Sequence, residues 1–372
     1  MGCSNTTNNK KNKEVKSKKG NEEKVENSGN SDFKSDSKVE NKKDSNSSKK
    51  ENYIEEEETR EIPKGCIELR VNADTTERMF PIWVEKGSKV KIHVRGRWSL
   101  LPEYGEVDYK GHANFNYKYR DANIGALMGR ILGGNYFKII NGMILVPQIS
   151  GPIFFFANNS RLSVQPSGFL NVFIENAKKY SMEEIELMSG WKINELDTTR
   201  GHDYLTNEEK SLIICINKIK KNPKLFATQY LSHLTILGES YREIYNKLMI
   251  YPTSKLLKPS KPLYMAARDH AKDIGENGTT GHTSTDGSDL RQRISRYSPN
   301  PSYFGENCSY GLNDPLSIVI QMVVDDGFQT RAHRANILNE IYSQVGISIQ
   351  PHSSYKFTCV QVFGSNIVEL ER

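Results

Sequence analysis

Cysteine is scarce and scattered in this chain of 372 residues. Cys3, Cys66, Cys215, Cys308 and Cys359 are odd in number and widely spaced, so they do not make the paired framework of a disulfide-stapled domain, and a reducing compartment fits better. Long apolar runs are missing as well. Nothing approaches the roughly 18 residues of a spanning helix, and no apolar stretch follows Met1 as a secretory leader requires. The chain is expected to be neither transmembrane nor classically secreted. Strong charge of one sign is also absent: 51 Lys and Arg against 45 Asp and Glu leave a net charge of +6. The positives are not gathered with aromatics into a groove in either globular part, which argues against nucleic acid as a partner.

Residues 1–64 hold almost nothing apolar. Such a segment cannot bury enough surface to offset its ordering entropy, and a disordered tether is expected there. Its start, MGCSNTTNN, fits the pattern Met-Gly-x-x-x-Ser/Thr, with Gly2 as myristoyl acceptor, Thr6 at the required place and Cys3 open to palmitoylation. One acyl chain holds a protein only marginally, so a second signal is needed. Cys3 is one candidate; the other is the cluster Lys10, Lys11, Lys13, Lys16, Lys18 and Lys19, each lysine contributing about 1 kcal/mol beside an anionic leaflet. A bacterial lipoprotein would need an apolar stretch ahead of the cysteine, and only Met1 and Gly2 precede Cys3. The expectation is a eukaryotic-type lipid anchor on the cytoplasmic face of a membrane.

The length suggests two domains after this tail. From Cys66 the apolar residues alternate, in IELRV, SKVKIHV, MILV, IFFF and FLNVFI, with Gly, Asn, Pro and Ser between the runs. That is the pattern of a β-sandwich over 65–177; only 122–131 has helical potential. His93 and Trp98 lie on or near a strand and read as packing residues. Residues 178–204 read as a connection, with a short helix capped by Ser181.

Residues 205–372 change character. Thr206-Asn-Glu-Glu209 is a capping box before an apolar helical pattern. A second helix, around 262–274, carries His270 within its apolar stripe, where a hydrogen-bonded core histidine is expected. A third follows Asp314 and Pro315 and stops at Gly327. Two alternating strands close the chain, joined by a loop in which His352 is expected to be exposed. Between these elements lie Gly281-His282, Gly305-Glu306-Asn307, Asp325-Asp326-Gly327 and His333-Arg334. Imidazoles and carboxylates converging in a cleft could hold a divalent ion or serve acid-base chemistry. No residue stands out as an activated nucleophile; Thr283 and Ser284 merely neighbour His282 in sequence.

The phrases INKIKKNPKLFA, LYMAARDHAKDIGENG, GHTSTDGSDLRQRI, GENCSYG, VVDDGFQTRAHRANIL and VGISI resemble the CAP superfamily of cysteine-rich secretory, antigen 5 and pathogenesis-related proteins, over about 205–363. The resemblance implies an α-β-α sandwich with a cavity lined by two histidines and two acids. Those positions fall on His282, Glu306 and His333; the family's second glutamate has no counterpart, and Asp325 or Asp326 stands in its place. It also implies zinc or another divalent ion at His282 and His333, and sterol or other lipid binding. A metal-dependent hydrolase is the alternative. GSKVKIHVRGRW, IGALMGRI and GPIFFFANN resemble the LecA-type galactose-binding lectins over about 66–176, which implies a jelly-roll sandwich and a calcium-bridged sugar at the loop 158–166. Calcium wants carboxylates, and NNSRLSVQP offers Asn158 and Asn159 but no acid, while Arg161 repels a cation. Calcium is not expected, and the module is a degenerate lectin, with glycan binding as a further alternative. The whole reads as a membrane-tethered binding protein of mixed α+β class.

If Gly2 carries the anchor, Gly2→Ala moves the protein from the membrane pellet to the soluble fraction; association that survives the substitution removes myristoylation from the account.

Overall fold

A computed structural model of the chain describes residues 62–73, 77–100, 102–113, 118–119, 121–158, 166–327 and 329–370. Gly2, Cys3, the tail lysines and Asn159 lie outside them. Among the described residues no helix is long and apolar enough to cross a membrane, and Cys66, Cys215, Cys308 and Cys359 are free thiols.

The first half is built from β1 (Ile67–Asn72), β2 (Arg78–Val84), β3 (Val90–Ser99), β4 (Lys118–Tyr119), β5 (Ala122–Asn123), β6 (Leu127–Ile131), β7 (Tyr136–Lys138), β8 (Met143–Leu145), β9 (Gly151–Ala157), β10 (Ser167–Glu175) and β11 (Lys178–Lys179). Two antiparallel sheets, ordered β1-β10-β3-β8 and β11-β2-β9-β6-β7, face each other. The alternation seen in the sequence puts Leu69, Val71, Ile92, Val94, Leu170 and Val172 of one sheet against Ile82, Val84, Ile153 and Phe155 of the other. Trp98 is buried in this core, its indole N–H donating to the Gly125 carbonyl at 2.8 Å. His93 pairs with Glu175 across neighbouring strands.

Residues 122–131, where the sequence has some helical potential, form β5, a turn at Ile124–Gly125 and β6, as the sandwich requires. Leu127–Ile131 sits between β7 and β9 and is buried on both faces, so its apolar residues run without alternation. A short run of that kind cannot be told from a helix by periodicity. β9 shows the same double burial. Its Ile153 and Phe155 enter the sandwich core, while Phe154 points the other way into the core of the second half.

That second half contains α1 (Met182–Met188), α2 (Ile193–Leu196), α3 (Asn207–Lys221), α4 (Pro223–Phe226), α5 (Glu239–Ile250), α6 (Lys261–Asn277), α7 (Leu290–Ser295), α8 (Pro315–Val324) and α9 (Ala332–Leu338). Its sheet runs β12 (Lys258–Pro259), β14 (Gln344–His352), β15 (Lys356–Ser365), β13 (Tyr303–Tyr310), with β12 parallel to β14 and the rest antiparallel. Alternation along β15 sends Cys359 and Phe363 to one face, against residues of α3, α5, α8 and α9. Val360 and Val362 go to the other, against Leu263, Ala266, Ala267, Ala271 and Ile274 of α6 and Ile294 of α7. This is the expected α-β-α sandwich.

The stretch 178–204 does more than connect. Lys178 and Lys179 pair with Trp83 and Ile82, adding a strand to the sandwich. Ser181 closes a capping box with Glu184. Beyond it Trp191 and Leu196 are buried in the second core, the Trp191 indole donating to Gln229 at 2.7 Å. Two large apolar residues in a polar stretch are what make it part of the folded body. Arg130 completes the join: it is buried, pairs with Glu77, lies 4.2 Å over the Phe154 ring and donates to the Gln229 carbonyl at 3.4 Å. Tyr136 adds a hydrogen bond to Glu77 at 3.3 Å and an edge contact with His233.

His352 corrects another expectation. It is 3% exposed, its Nε2 donating to the Thr279 carbonyl at 2.9 Å while Nδ1 accepts the backbone N–H groups of Ser354 and Tyr355. The turn is covered because the end of α6 lies directly on it: a Cβ on Gly275 would stand 2.3 Å from the Pro351 oxygen. Toward the other end of that same strand, a Cβ on Gly346 would meet Leu263 and Tyr264 backbone atoms at 2.0–2.5 Å. No neighbouring side chain can move aside there. Gly346→Ala should therefore destabilise the protein by about 1–3 kcal/mol or more, as overpacking does, read as a lowered urea midpoint with the m-value unchanged; an unmoved midpoint would show that α6 is not seated as described.

Candidate functional site

Edge strand β13 carries Glu306, and its alternation directs that side chain toward α6 and α7 while Asn307 faces α9. The Glu306 side chain is 2% exposed and held at both oxygens. His282 Nδ1 meets Oε1 at 2.9 Å and Arg293 donates to Oε2 at 2.6 Å. Arg293 comes from α7, whose start is fixed by a capping box between Asp289 and Gln292. Its other guanidinium contacts are the carbonyls of His282 at 2.9 Å and Ser288 at 3.1 Å, and the Ser284 hydroxyl at 3.3 Å. Burial alone would raise the Glu306 carboxyl, but the His282 hydrogen bond and the Arg293 charge outweigh it and leave it below its ordinary value. Glu306 is thus a buried anion with a donor on each oxygen.

His270, on the inner face of α6, is the buried, hydrogen-bonded histidine its place in the apolar stripe implied. A carbonyl only accepts, so Nε2 carries the proton donated to the Gly281 oxygen at 3.0 Å, and Nδ1 accepts from Ser284 at 2.9 Å. Burial, first of all, lowers its pKa. Cys308, two residues along β13, places Sγ 3.6 Å from the Gly281 oxygen and 3.8 Å from His282 Nδ1. Burial followed by the charge of Glu306 pushes its pKa well up, so it is held as a thiol and not as a nucleophile.

On the far side of β13 stands a second acid–histidine pair. Asp325 ends α8 in the left-handed conformation, with φ 51°. Its carboxylate takes the His333 ring at 2.7 Å and the backbone N–H groups of His333 at 3.0 Å and Arg334 at 3.3 Å. Burial raises this carboxyl, and the bonds from His333 and Arg334 more than cancel the effect. Arg334 donates to the carbonyls of Val323 and Val324 at 2.6 and 2.7 Å, a cation at the negative end of α8. Asp326 is exposed and accepts from Ser240 at 2.8 Å. Of the two aspartates, Asp325 is therefore the one paired with a candidate histidine. Asn307 donates to the His333 carbonyl and Asn336 to the Glu306 carbonyl, both at 3.1 Å, so one strand supports both pairs.

Among the described residues, the His, Cys and carboxylate groups whose ligand atoms crowd together are His270, Glu306 and Cys308. Neither His282 nor His333 is in that group. Sequence reading overlooked Arg293 and Cys308. The signal for Arg293 was available: in DLRQRI it falls at the i+3 position of the Leu290/Ile294 stripe, and a cation on a core-facing position asks for a buried anion. In the sandwich, Asn158 is buried and its amide donates to the Ala122 and Asn123 carbonyls at 3.0 Å, holding the β5 turn.

Residues 252–363 match the CAP family, described as the cysteine-rich secretory protein family, and form a CAP domain at the C-terminal side of the chain. No curated protein sequence matches the chain. Among solved structures, an outer surface protein from Borrelia burgdorferi is 23% identical, with TM-score 0.26 over 29% of this chain and 77% of that one. An extracellular protein containing a SCP domain from Bacillus anthracis is 15% identical, with TM-score 0.29 over 60% of this chain and 53% of its own length. The N-terminal domain of EclA, a PllA-like lectin, is 14% identical, with TM-score 0.26 over 30% of this chain and 98% of that one.

Removing Arg293 leaves Glu306 as a buried charge with a single partner. Arg293→Met should cost about 3–5 kcal/mol, against about 1 kcal/mol or less for a surface pair, measured by chemical denaturation; a loss below 1 kcal/mol would mean Glu306 does not need its partner.

Proposed function

We propose, taking the CAP domain of residues 252–363 as the premise, that this chain is a binding protein, tethered to a membrane by its N-terminal segment, which takes a sterol-class lipid or a protein partner and does not turn over a substrate. The observation that supports this is the commitment of the site's polar groups. Glu306 is clamped by His282 and Arg293, and Asp325 by His333 and backbone N–H groups. The Ser284 hydroxyl is buried against His270 and Arg293, and Cys308 is a protonated thiol. A general base needs an available lone pair near a reacting atom, and a hydrolase needs a nucleophile; these groups instead satisfy one another, as supports for a rigid surface do. The lipid class comes from the family resemblance and agrees with an acylated terminus. The sandwich, sharing a core with the CAP half, extends the surface on which a partner can dock.

Titrating the full chain, produced without acylation, with a fluorescent sterol should give saturable binding, and ester and peptide substrates should yield no product. Turnover that falls in His282→Ala would replace the binding reading with the hydrolase.

A further inference from the structure

We propose that the outer face of the sheet β1-β10-β3-β8 lies against an anionic membrane surface, so that the folded body itself contacts the leaflet. This deepens the tethered reading above and rests on it.

The two outer faces of the sandwich have different fates. The second half packs on the other sheet, through Phe154 of β9, Arg130 of β6 and Tyr136 of β7. On this sheet Val71 of β1, Ile92 and Val94 of β3 and Val172 of β10 point into the core, and alternation turns their neighbours outward. The register then sets those neighbours in rows. Arg70, Asn171 and Arg95 face one another across three strands, with Asn72, Phe169 and Arg97 beside them. Lys91 stands between Glu175 and Ile144. Four cations that are scattered along the chain are thereby gathered on one flat face.

Carboxylates do not balance them. The four strands turn only Glu68 and Glu175 to this side, and Glu175 takes Lys91 at 3.4 Å as well as His93. Glu106, from the loop after β3, reaches Arg97 at 4.0 Å. The Arg70 guanidinium lies 3.6 Å over the Phe169 ring, and a stacked guanidinium keeps its N–H edge free for an oxyanion. Arg95 shares its row, with an amide rather than an acid between the two. Like charges so placed repel unless an anion meets both.

Apolar side chains border the cations. Ile144, opposite Lys91 on edge strand β8, is 59% exposed; Ile140, at the turn before it, is equally exposed, and Val146 follows at 43%. Met143 and Leu145 pack inward. Cations interleaved with aliphatic side chains suit a leaflet, where the first meet phosphates and the second enter the acyl boundary. The opposite edge of the sheet is β1, the first strand after the N-terminal segment. A chain anchored upstream of residue 62 therefore enters the fold on this sheet.

The test is co-sedimentation of the unacylated full chain with vesicles of phosphatidylserine and phosphatidylcholine, and with phosphatidylcholine alone. Binding should require phosphatidylserine. Each cation beside an anionic leaflet strengthens binding about 5-fold, so Arg70→Glu with Arg95→Glu should weaken it about 20-fold or more. Ile140→Ser with Ile144→Ser should weaken it several-fold. Lys224→Glu with Lys272→Glu makes the same charge change on exposed residues of the second half and should stay within about 2-fold of wild type, since distant charges are screened. An arginine or isoleucine variant that binds like the wild type overturns the proposal. So does an equal loss in the lysine variant, which would report net charge alone. Heparin binding lost in the arginine variant while vesicle binding stays intact would put a soluble polyanion on this face instead. Every variant here keeps the tail lysines and lacks the acyl group, so these outcomes are separate from the one that Gly2→Ala decides.

Discussion

A helix can lie this close to a strand's backbone only where one of the two facing residues lacks a side chain, and α6 does so at both ends of β14. Gly346 admits the Leu263–Tyr264 peptide and Gly275 admits the Pro351 carbonyl. These two contacts set how deep the helix sits on the sheet. That depth in turn brings His270, buried on the inner face of α6, within 3.9 Å of Glu306 on edge strand β13. A helix held further out by even one methyl on each side would leave Glu306 beside Arg293 and His282 alone. The spacing of the polar cluster is thus inherited from two absent side chains, several residues away from any member of it.

The polar cluster itself illustrates how charge is kept inside a small domain. Each buried acid is matched with one imidazole and further donors: Glu306 with His282 and Arg293, Asp325 with His333 and two backbone N–H groups. Leaving either carboxylate alone in that environment would cost several kcal/mol. Matching it fixes three segments at once, because His282 lies on a loop, Arg293 on α7 and Glu306 on β13. Such a cluster orders the surface around Gly281 and the end of α8 even if it performs no chemistry.

Much of this was legible in the sequence, and the reason differs from element to element. The capping boxes at Ser181 and Thr206 are local, so four residues suffice to read them. The strands of the sandwich announce themselves wherever one face is wet and the other dry. Where both faces are dry, as at Leu127–Ile131, alternation disappears and the signal with it. His270 was readable because a helix face is periodic; His352 was not, because what buries it is the end of α6, far away along the chain. The pairing of Asp325 rather than Asp326 with His333 rests on a single left-handed residue, Asp325 itself, which turns one carboxylate inward and leaves its neighbour out. Arg130 and Phe154 read as ordinary sandwich residues, since nothing in a strand pattern states that its outer face will meet helices.

Phe154 carries a lesson about where this protein can be cut. The family match ends its description at residues 252–363, and the composition changes near 205, yet Phe154, Leu132, Trp191 and Leu196 all lie in the hydrophobic core of the C-terminal half. A fragment starting at either boundary would present the hole those side chains fill, and a sandwich ending at 177 would present the aromatic face that fills it. The segment that is shared with other proteins and the segment that folds as a unit are different lengths of this chain, and the second takes in the sandwich as well.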